Sequence, residues 1–420
     1  MQFLKMDDFD VRGKTVLVRT DLNSPMDENN EIIDNIRIRR HSETIRELAQ
    51  KGARVVVMAH QGRAGDSDLI QLNKHAEALS KHVQKNVVYV DDLFGTHAKN
   101  SIKGLRDGDI ILLENVRFNA EETARKEDQH EAHMVRELAP LIDYYVNDAF
   151  AAAHRSHVSL VGFSEVVPSF AGRVLQKELE VLSKVSKMPE RPSVLAVGGS
   201  KIDDTMKVVE RMLDADACDK VITSGLVGLV FIVAQGEDVG EATYNTLVKK
   251  KADVEIVRAK RLLERYGSRI EVPIDVAICV NDRRIEMRVA NLPTDFPILD
   301  IGDKTIRRYK AILDEAATVV GNGPAGMFEK KGFERGTYEL LKAMHECKAF
   351  TVLGGGHLAL AAEQMDLLDK VAHVSTGGGA YILFMAGERL PAVDALVNAA
   401  QKRAPLIVRS KYNNHINKSE

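Results

Sequence analysis

The sequence predicts an α/β protein built on two parallel sheets, and three observations carry that prediction. Short β-branched runs alternate with longer segments of helical period along the chain. The strand runs are apolar at nearly every position, the pattern of strands covered on both faces. They are also too numerous for one sheet. A chain of 420 residues has room for two or three domains.

The strand candidates of the first half are Val16–Arg19, Arg54–Ala59, Val87–Val90, Ile110–Leu113 and Tyr144–Val146. Between them, Ser42–Lys51 reads as a helix closed by Gly52, and Asn73–Lys85 as another. The second half repeats the rhythm with Val194–Val197, Val221–Thr223, Val276–Val280, Thr318–Val320, Phe350–Leu353 and Val371–Val374. The break is expected near Gly172–Lys187, a charged helical stretch followed by Pro189 and Pro192.

Composition narrows the function classes. Apolar residues make up 45% and charged residues 28%, globular proportions that argue against disorder. A net charge of −3 gives no whole-protein reason to bind nucleic acid or membrane. Three cysteines, Cys218, Cys279 and Cys347, form no C-x-x-C pair, which suits a reducing compartment. Acidic residues follow Met1 too soon for a signal-peptide core, and the longest nearly apolar run, Val221–Ala234, is too short to span a bilayer. A cytoplasmic location is expected.

The two halves end their strands differently. In the first, strands run into Arg19-Thr20-Asp21-Leu22-Asn23, His60-Gln61-Gly62-Arg63, Glu114-Asn115-Val116-Arg117 and Asn147-Asp148, the last followed by His154-Arg155-Ser156-His157. Arg37 lies in a basic segment that opens a helix. Any one arginine alone reads as a surface residue, but several at successive strand ends imply a pocket for a small, multiply charged anion. The second half supplies Gly198-Gly199-Ser200-Lys201, Gly354-Gly355-Gly356-His357 and Ser375-Thr376-Gly377-Gly378-Gly379, each joining a strand to a helix. Glycines there admit backbone close to phosphate, and helix starts favour negative charge. Gly321-Asn322-Gly323-Pro324-Ala325-Gly326 matches G-x-G-x-x-G only weakly, with Pro324 unusual in a dinucleotide turn. Gly13-Lys14-Thr15 lacks the first glycine of a P-loop, and His130-Glu131-Ala132-His133 reads as an exposed helix face rather than a zinc motif.

Taken in order, these motifs resemble the phosphoglycerate kinase family, in its archaeal form, over about the first 395 residues. The resemblance implies two doubly wound, Rossmann-like domains joined by a hinge helix. The division expected is 1–172 for 3-phosphoglycerate, 173–395 for nucleotide, and a tail, 396–420, that folds back on the first domain. It implies reversible phosphoryl transfer between ATP and the carboxylate of 3-phosphoglycerate, or from 1,3-bisphosphoglycerate to ADP, with Mg²⁺ accompanying the nucleotide. Asp21, Asn23, Arg37, His60, Arg63, Arg117 and Arg155 are then expected at the phosphoglycerate, with Arg39 ranked below Arg37. Gly198, Gly199, Lys201, Asn322, Glu329, Gly354, Gly355, Gly356, Gly377, Gly378 and Gly379 are expected at the nucleotide, Glu329 at its ribose. Arg37, Lys201, Gly355 and Gly378 are expected at the transferred group. A monomer is expected, with a homodimer the alternative.

Two positions depart from the family pattern. Thr205 stands where the family commonly has a second lysine, with Lys207 expected to point elsewhere. His357 stands where it has the aspartate that helps bind the magnesium–nucleotide complex, leaving Asp204 as a weak candidate ligand. The rival readings are a nicotinamide (NAD)-dependent dehydrogenase and a non-catalytic nucleotide-binding protein. The first calls for an acidic residue at the end of Phe350–Leu353, where Gly354 stands instead.

Overall fold

The computed structural model describes residues 2–402 apart from Asn30, Asp34, Asn35, Lys126, Asp369 and Lys370. The chain divides into two compact units. One runs to Leu179 and resumes at Arg389; the other is Glu180–Glu388. The division falls inside the helix Arg173–Lys187, within the segment where the sequence breaks. Residues 389–402 belong to the first unit, where the Ala392 N–H donates to the Ala153 carbonyl at 3.1 Å. The rest of the tail lies outside the described residues.

The first unit holds a six-stranded, all-parallel sheet of β1 (Thr15–Arg19), β2 (Arg54–Met58), β3 (Val87–Tyr89), β4 (Ile110–Leu112), β5 (Tyr144–Asn147) and β6 (Ser169–Ala171). The strand order is β3-β4-β2-β1-β5-β6. Alternate residues feed two cores. Val16, Val18, Val55 and Val57 enter one, and Leu17, Val56 and Met58 enter the other. Double coverage is the reason these strands are apolar throughout. Each such side chain contributes about 1.5–3 kcal/mol by burial, so Val56→Asp would break the unit. The helix Ile36–Gln50 begins well before Ser42 and ends before Gly52, whose φ is +84°.

The second unit holds another parallel six-stranded sheet, of β7 (Ser193–Val197), β8 (Lys220–Thr223), β9 (Ile270–Glu271), β13 (Thr318–Asn322), β14 (Phe350–Gly354) and β15 (His373–Val374). Its order, β15-β14-β13-β7-β8-β9, reverses direction between β7 and β13. That is the doubly wound arrangement, with its ligand crevice expected at the reversal.

The sequence rhythm goes astray between these strands. Val276–Val280 does not join the parallel sheet. It forms β10 (Asp275–Val280), the centre of a separate antiparallel sheet with β11 (Arg283–Arg288) and β12 (Ile298–Ile301). Asn281 and Asp282, at φ 50° and 58°, make the two-residue hairpin turn that sets this pairing. His130 and His133 do not share a helix face either: Gln129–Glu131 is a 3₁₀ turn, and His133 opens the next helix.

Candidate functional site

In the first unit, the carboxyl ends of β1, β2, β4 and β5 gather the charged side chains. Arg19 closes β1 and is almost fully buried. Its guanidinium donates to Ser159 Oγ at 2.8 Å and to the Thr20 carbonyl, and approaches His60 Nδ1 at 3.2 Å. That leaves Nε2 of His60 to carry the ring proton when the imidazole is neutral. Burial holds the His60 imidazole well below its ordinary range, and Arg19, Arg117 and Arg155 act in the same direction against Asp21. His60 is therefore held neutral, with the ring proton on Nε2. Beneath Arg19, Glu122 is buried and accepts from the Ser159 hydroxyl at 2.7 Å and its amide at 2.8 Å. Burial raises the Glu122 carboxyl despite Arg19.

Asp21, Asn23 and Arg37 form one side of the pocket. Burial opposes ionisation of Asp21, but Arg37, foremost among the basic side chains around it, holds the carboxyl well below the usual range. Arg37 Nη1 lies 3.4 Å from Asp21 Oδ2 and from the Asn23 carbonyl. Asn23 Oδ1 accepts the Gly62 N–H at 2.8 Å, tying the β1 loop to the β2 loop. Gln61 joins the same loops through the Ser24 amide at 2.8 Å, and His75 Nε2 reaches Gln61 Oε1 at 3.1 Å.

Asn115 orients the opposite side. Its Oδ1 accepts the Gln61 and Arg117 amides, at 3.3 Å and 3.0 Å. Arg117 Nη1 donates to the Gly62 carbonyl at 3.0 Å, while its buried Nε has no hydrogen-bond partner among the described residues. Burial lowers the pKa of Arg117, and Arg155, Arg19 and Arg63 press the same way. Burial lowers that of Arg155 too, with Arg63, Arg19 and Arg37 crowding it against the pull of Asp21. So many cations share this pocket that a bound anion would relieve their mutual repulsion. All seven residues expected here come together. Arg39 is exposed on the same helix as Arg37. Arg19, Gln61, Asn115 and Asp148, which stood in the strand-end motifs without an assigned role, also build the site, as does Glu122, which stood in none. Each is an ordinary polar residue whose role depends on long-range pairing.

In the second unit, β7, β8 and β13 are stitched together at their carboxyl ends. The Gly198 amide donates to the Asn322 carbonyl at 2.9 Å and the Gly199 amide to the Pro324 carbonyl at 2.7 Å. Those two N–H groups are thereby engaged in loop packing, while Gly199 also lines the cavity described below. A Cβ at Gly198 would lie 2.3 Å from the Pro324 oxygen, so the glycine permits the loop crossing. Gly321–Gly326 leads into no helix before Arg335, unlike a dinucleotide turn.

Gly356 and Gly378 stand in the open. Gly355 and Gly378, with φ of 86° and 51°, precede the helices Gly356–Gln364 and Gly379–Met385. First-turn amides there lack intrahelical acceptors. A Cβ at Gly356 or Gly378 would meet nothing within 4 Å, whereas Gly354 packs against the Tyr381 ring. Gly377 is held by Ser375 Oγ at 3.1 Å.

Beside these loops lies a cavity of about 350 Å³ walled by Leu226, Leu229, Ile232, Pro273 and Val276, with Gly199, Glu329 and His357 also lining it. Sequence reading missed this wall. Its signal was the helix Gly225–Ala234, apolar on every face, one face packing inward and another lining the cavity. Asp300 supports the floor. It accepts from Arg284 Nη1 and the Gly336 amide, both at 2.7 Å, and burial still raises its carboxyl to about 6.

Lys201 is exposed at the start of Ile202–Asp214. Lys207 pairs with Asp203 at 3.2 Å on an outer face. Thr205 is buried, and its hydroxyl accepts from Asn322 Nδ2 at 3.4 Å. No three His, Cys, Asp or Glu side chains converge as a metal cage among the described residues. Asp204, half-buried in the first helical turn, could supply one carboxylate. That fits Mg²⁺ held chiefly by phosphate and water oxygens. No helix among the described residues is long and apolar enough to cross a membrane.

Two doubly wound units, one with a cationic pocket at its strand ends and the other with glycine turns beside an apolar cavity, define the class: an α/β phosphotransferase. The particular family follows from comparison, and the chain belongs to the phosphoglycerate kinase family. The model of that family, described as Phosphoglycerate kinase, matches residues 6–388. The chain is 48% identical over 399 residues to the phosphoglycerate kinase of Methanothermobacter thermautotrophicus, covering 94% of this chain and 97% of that relative. It is 46% identical to that of Methanococcus maripaludis, covering 95% and 99%. Among solved structures it resembles phosphoglycerate kinase from Pyrococcus horikoshii OT3, with TM-score 0.87, 38% identity and coverage of 95% and 100%. The enzyme from Coxiella burnetii gives TM-score 0.82 at 30% identity, with the same coverage. The family's activity makes the chain a glycolytic kinase acting on a carboxyl group, and the dehydrogenase reading is not favoured.

Proposed function

We propose that the chain transfers a phosphoryl group reversibly between ATP and the carboxylate of 3-phosphoglycerate, the first unit taking the phosphoglycerate and the second the nucleotide. The observation that carries the assignment of ligands is the crowd of arginines at one set of strand ends, with the buried Nε of Arg117, which has no hydrogen-bond partner among the described residues, among them. A small polyanion satisfies that crowd; an adenosine does not. The apolar cavity suits a nucleobase, with Glu329 at the ribose.

In the forward step a carboxylate oxygen forms a bond to the γ-phosphorus as the bond to the β-phosphate oxygen breaks, releasing ADP. The nucleophile is already ionised near neutral pH, so no general base is needed. Catalysis then rests on positioning and on charge stabilisation. Arg37 and Lys201 are assigned to the transferring group, with the first-turn amides that follow Gly355 and Gly378 adding donors. Neutral His60 and Asn23 orient the phosphoglycerate beside Arg63, Arg117 and Arg155. Mg²⁺, when bound with the nucleotide, neutralises phosphate charge, and Asp204 would hold it. Hinge closure through Arg173–Lys187, a cytoplasmic location and a monomeric state belong to the same reading.

The test is formation of an acyl phosphate from ATP and 3-phosphoglycerate, trapped as its hydroxamate. The expected result is turnover that requires both substrates and Mg²⁺. ATP hydrolysis indifferent to 3-phosphoglycerate, or no turnover by the folded protein, would overturn the reading.

A further inference from the structure

The helix Ile36–Gln50 turns Arg37, His41, Thr44 and Glu47 along one stripe, at spacings of three and four. Arg37 meets the Asp21 carboxylate at 3.4 Å. One turn on, His41 Nε2 lies 3.3 Å from the Asp21 main-chain nitrogen, and His41 Nδ1 lies 2.9 Å from Asp148 Oδ2. Thr44 and Glu47 reach Arg173: its amide donates to Thr44 Oγ1 at 3.2 Å, and its guanidinium to Glu47 at 2.8 Å. Both the carboxylate and the main-chain amide of Asp21 are thus anchored from a single helix.

We propose that His41 is a positioning residue for the phosphoglycerate pocket, fixing the main chain of Asp21 against the carboxylate of Asp148. The inference rests on the assignment of that pocket made above. The two contacts set the tautomer: Nδ1–H donates to the carboxylate, and Nε2 accepts from the Asp21 N–H. Asp148 cannot swing away. Its other oxygen accepts the Val174 amide at 2.8 Å and the Leu175 amide at 3.2 Å. Gly172 presses on the same oxygen so closely that an added Cβ would lie 2.3 Å from it. Asp21, His41 and Asp148 are 3%, 2% and 0% exposed, so no solvent competes for these bonds. The result is a dry strut running from the first turn of Arg173–Lys187 to the loop that presents Asp21 and Asn23.

The strut can be cut at either end. The His41→Asn amide sits near the position of Nδ1 and retains the bond to Asp148, but cannot reach the Asp21 amide. The His41→Gln carbonyl oxygen reaches the position of Nε2 and retains the Asp21 bond. Steady-state kinetics and thermal melting of the full chain are measured for both. In His41→Asn, KM for 3-phosphoglycerate should rise about five- to thirtyfold, as one lost buried hydrogen bond dictates. KM for ATP should stay within about twofold, and His41→Gln should lie nearer the parent. A parental KM for 3-phosphoglycerate in folded His41→Asn, or an equal rise for both substrates, would overturn the proposal. If His41→Asn does not fold, a folded His41→Gln whose KM rises equally for both substrates would overturn it. Parent protein that turns over 3-phosphoglycerate alongside unaffected variants defeats this inference alone, whereas an inactive parent defeats the assignment beneath it.

Discussion

The ligand-facing edges of the two units are made of different material. In the first, side chains do the work: arginines, a neutral histidine and amides stand at the ends of β1, β2, β4 and β5, fastened by hydrogen bonds between loops. In the second, main chain does it, with glycine turns at the ends of β7, β13, β14 and β15 beside an apolar wall. A side-chain site can lose one member and keep its fold. A main-chain site cannot where a turn depends on an atom being absent, as at Gly198, where an added Cβ would lie 2.3 Å from a carbonyl oxygen.

The sharpest test of that contrast is Arg37→Ala. We expect kcat to fall about 10²–10³-fold, the usual effect of removing one charge-stabilising donor, with nucleotide affinity and melting temperature near the parent's. Unchanged turnover would remove Arg37 from the transferring group. Next comes a pair of glycine substitutions. Gly198→Ala should cost about 3 kcal/mol in chemical denaturation, since the new Cβ meets backbone at 2.3 Å. Gly356→Ala has open space and should leave stability within about 0.5 kcal/mol while lowering kcat/KM for ATP. If both variants behaved alike, the division between loop-packing and ligand-facing glycines would fail.

Acid separates the units in sign. Burial lowers His75 to about 4, and its buried Nδ1 has no hydrogen-bond partner among the described residues. The unfolded chain takes up a proton near pH 6.5 that the folded one refuses until about pH 4. Stability of the first unit should therefore fall by about 2–3 kcal/mol across that window as pH drops. Asp300 has the opposite sense. Its folded pKa, raised to about 6, gives a contribution present below 3.8 and lost as pH rises through 6. Hydrogen exchange between pH 7 and 4.5 should show protection dropping at β2 but not at β12. Equal loss at both, or a His75→Gln variant with the parent's profile, would refute the assignment.

These contrasts also explain what could be read beforehand. The two parallel sheets were legible because double burial forces continuous apolar runs such as Arg54–Met58 and Ser193–Val197. The charged motifs were legible because they sit directly after those runs. β11 was not, because Arg283–Arg288 is largely exposed and its only apolar residues, Ile285 and Met287, alternate within a charged run; Asn281-Asp282 was its usable sign. The engaged amides of Gly198 and Gly199 were beyond reach, since they depend on a loop more than a hundred residues further on. The His41–Asp148 contact, across 107 positions, was hidden for the same reason.

The return of the chain to the first unit at Arg389 has a consequence for biosynthesis. About two hundred residues of the second unit must leave the ribosome before the closing segment of the first can dock. The nascent arginine-bearing half therefore waits, incomplete, while its insert folds, and its exposed docking surface is where a chaperone would find most to hold.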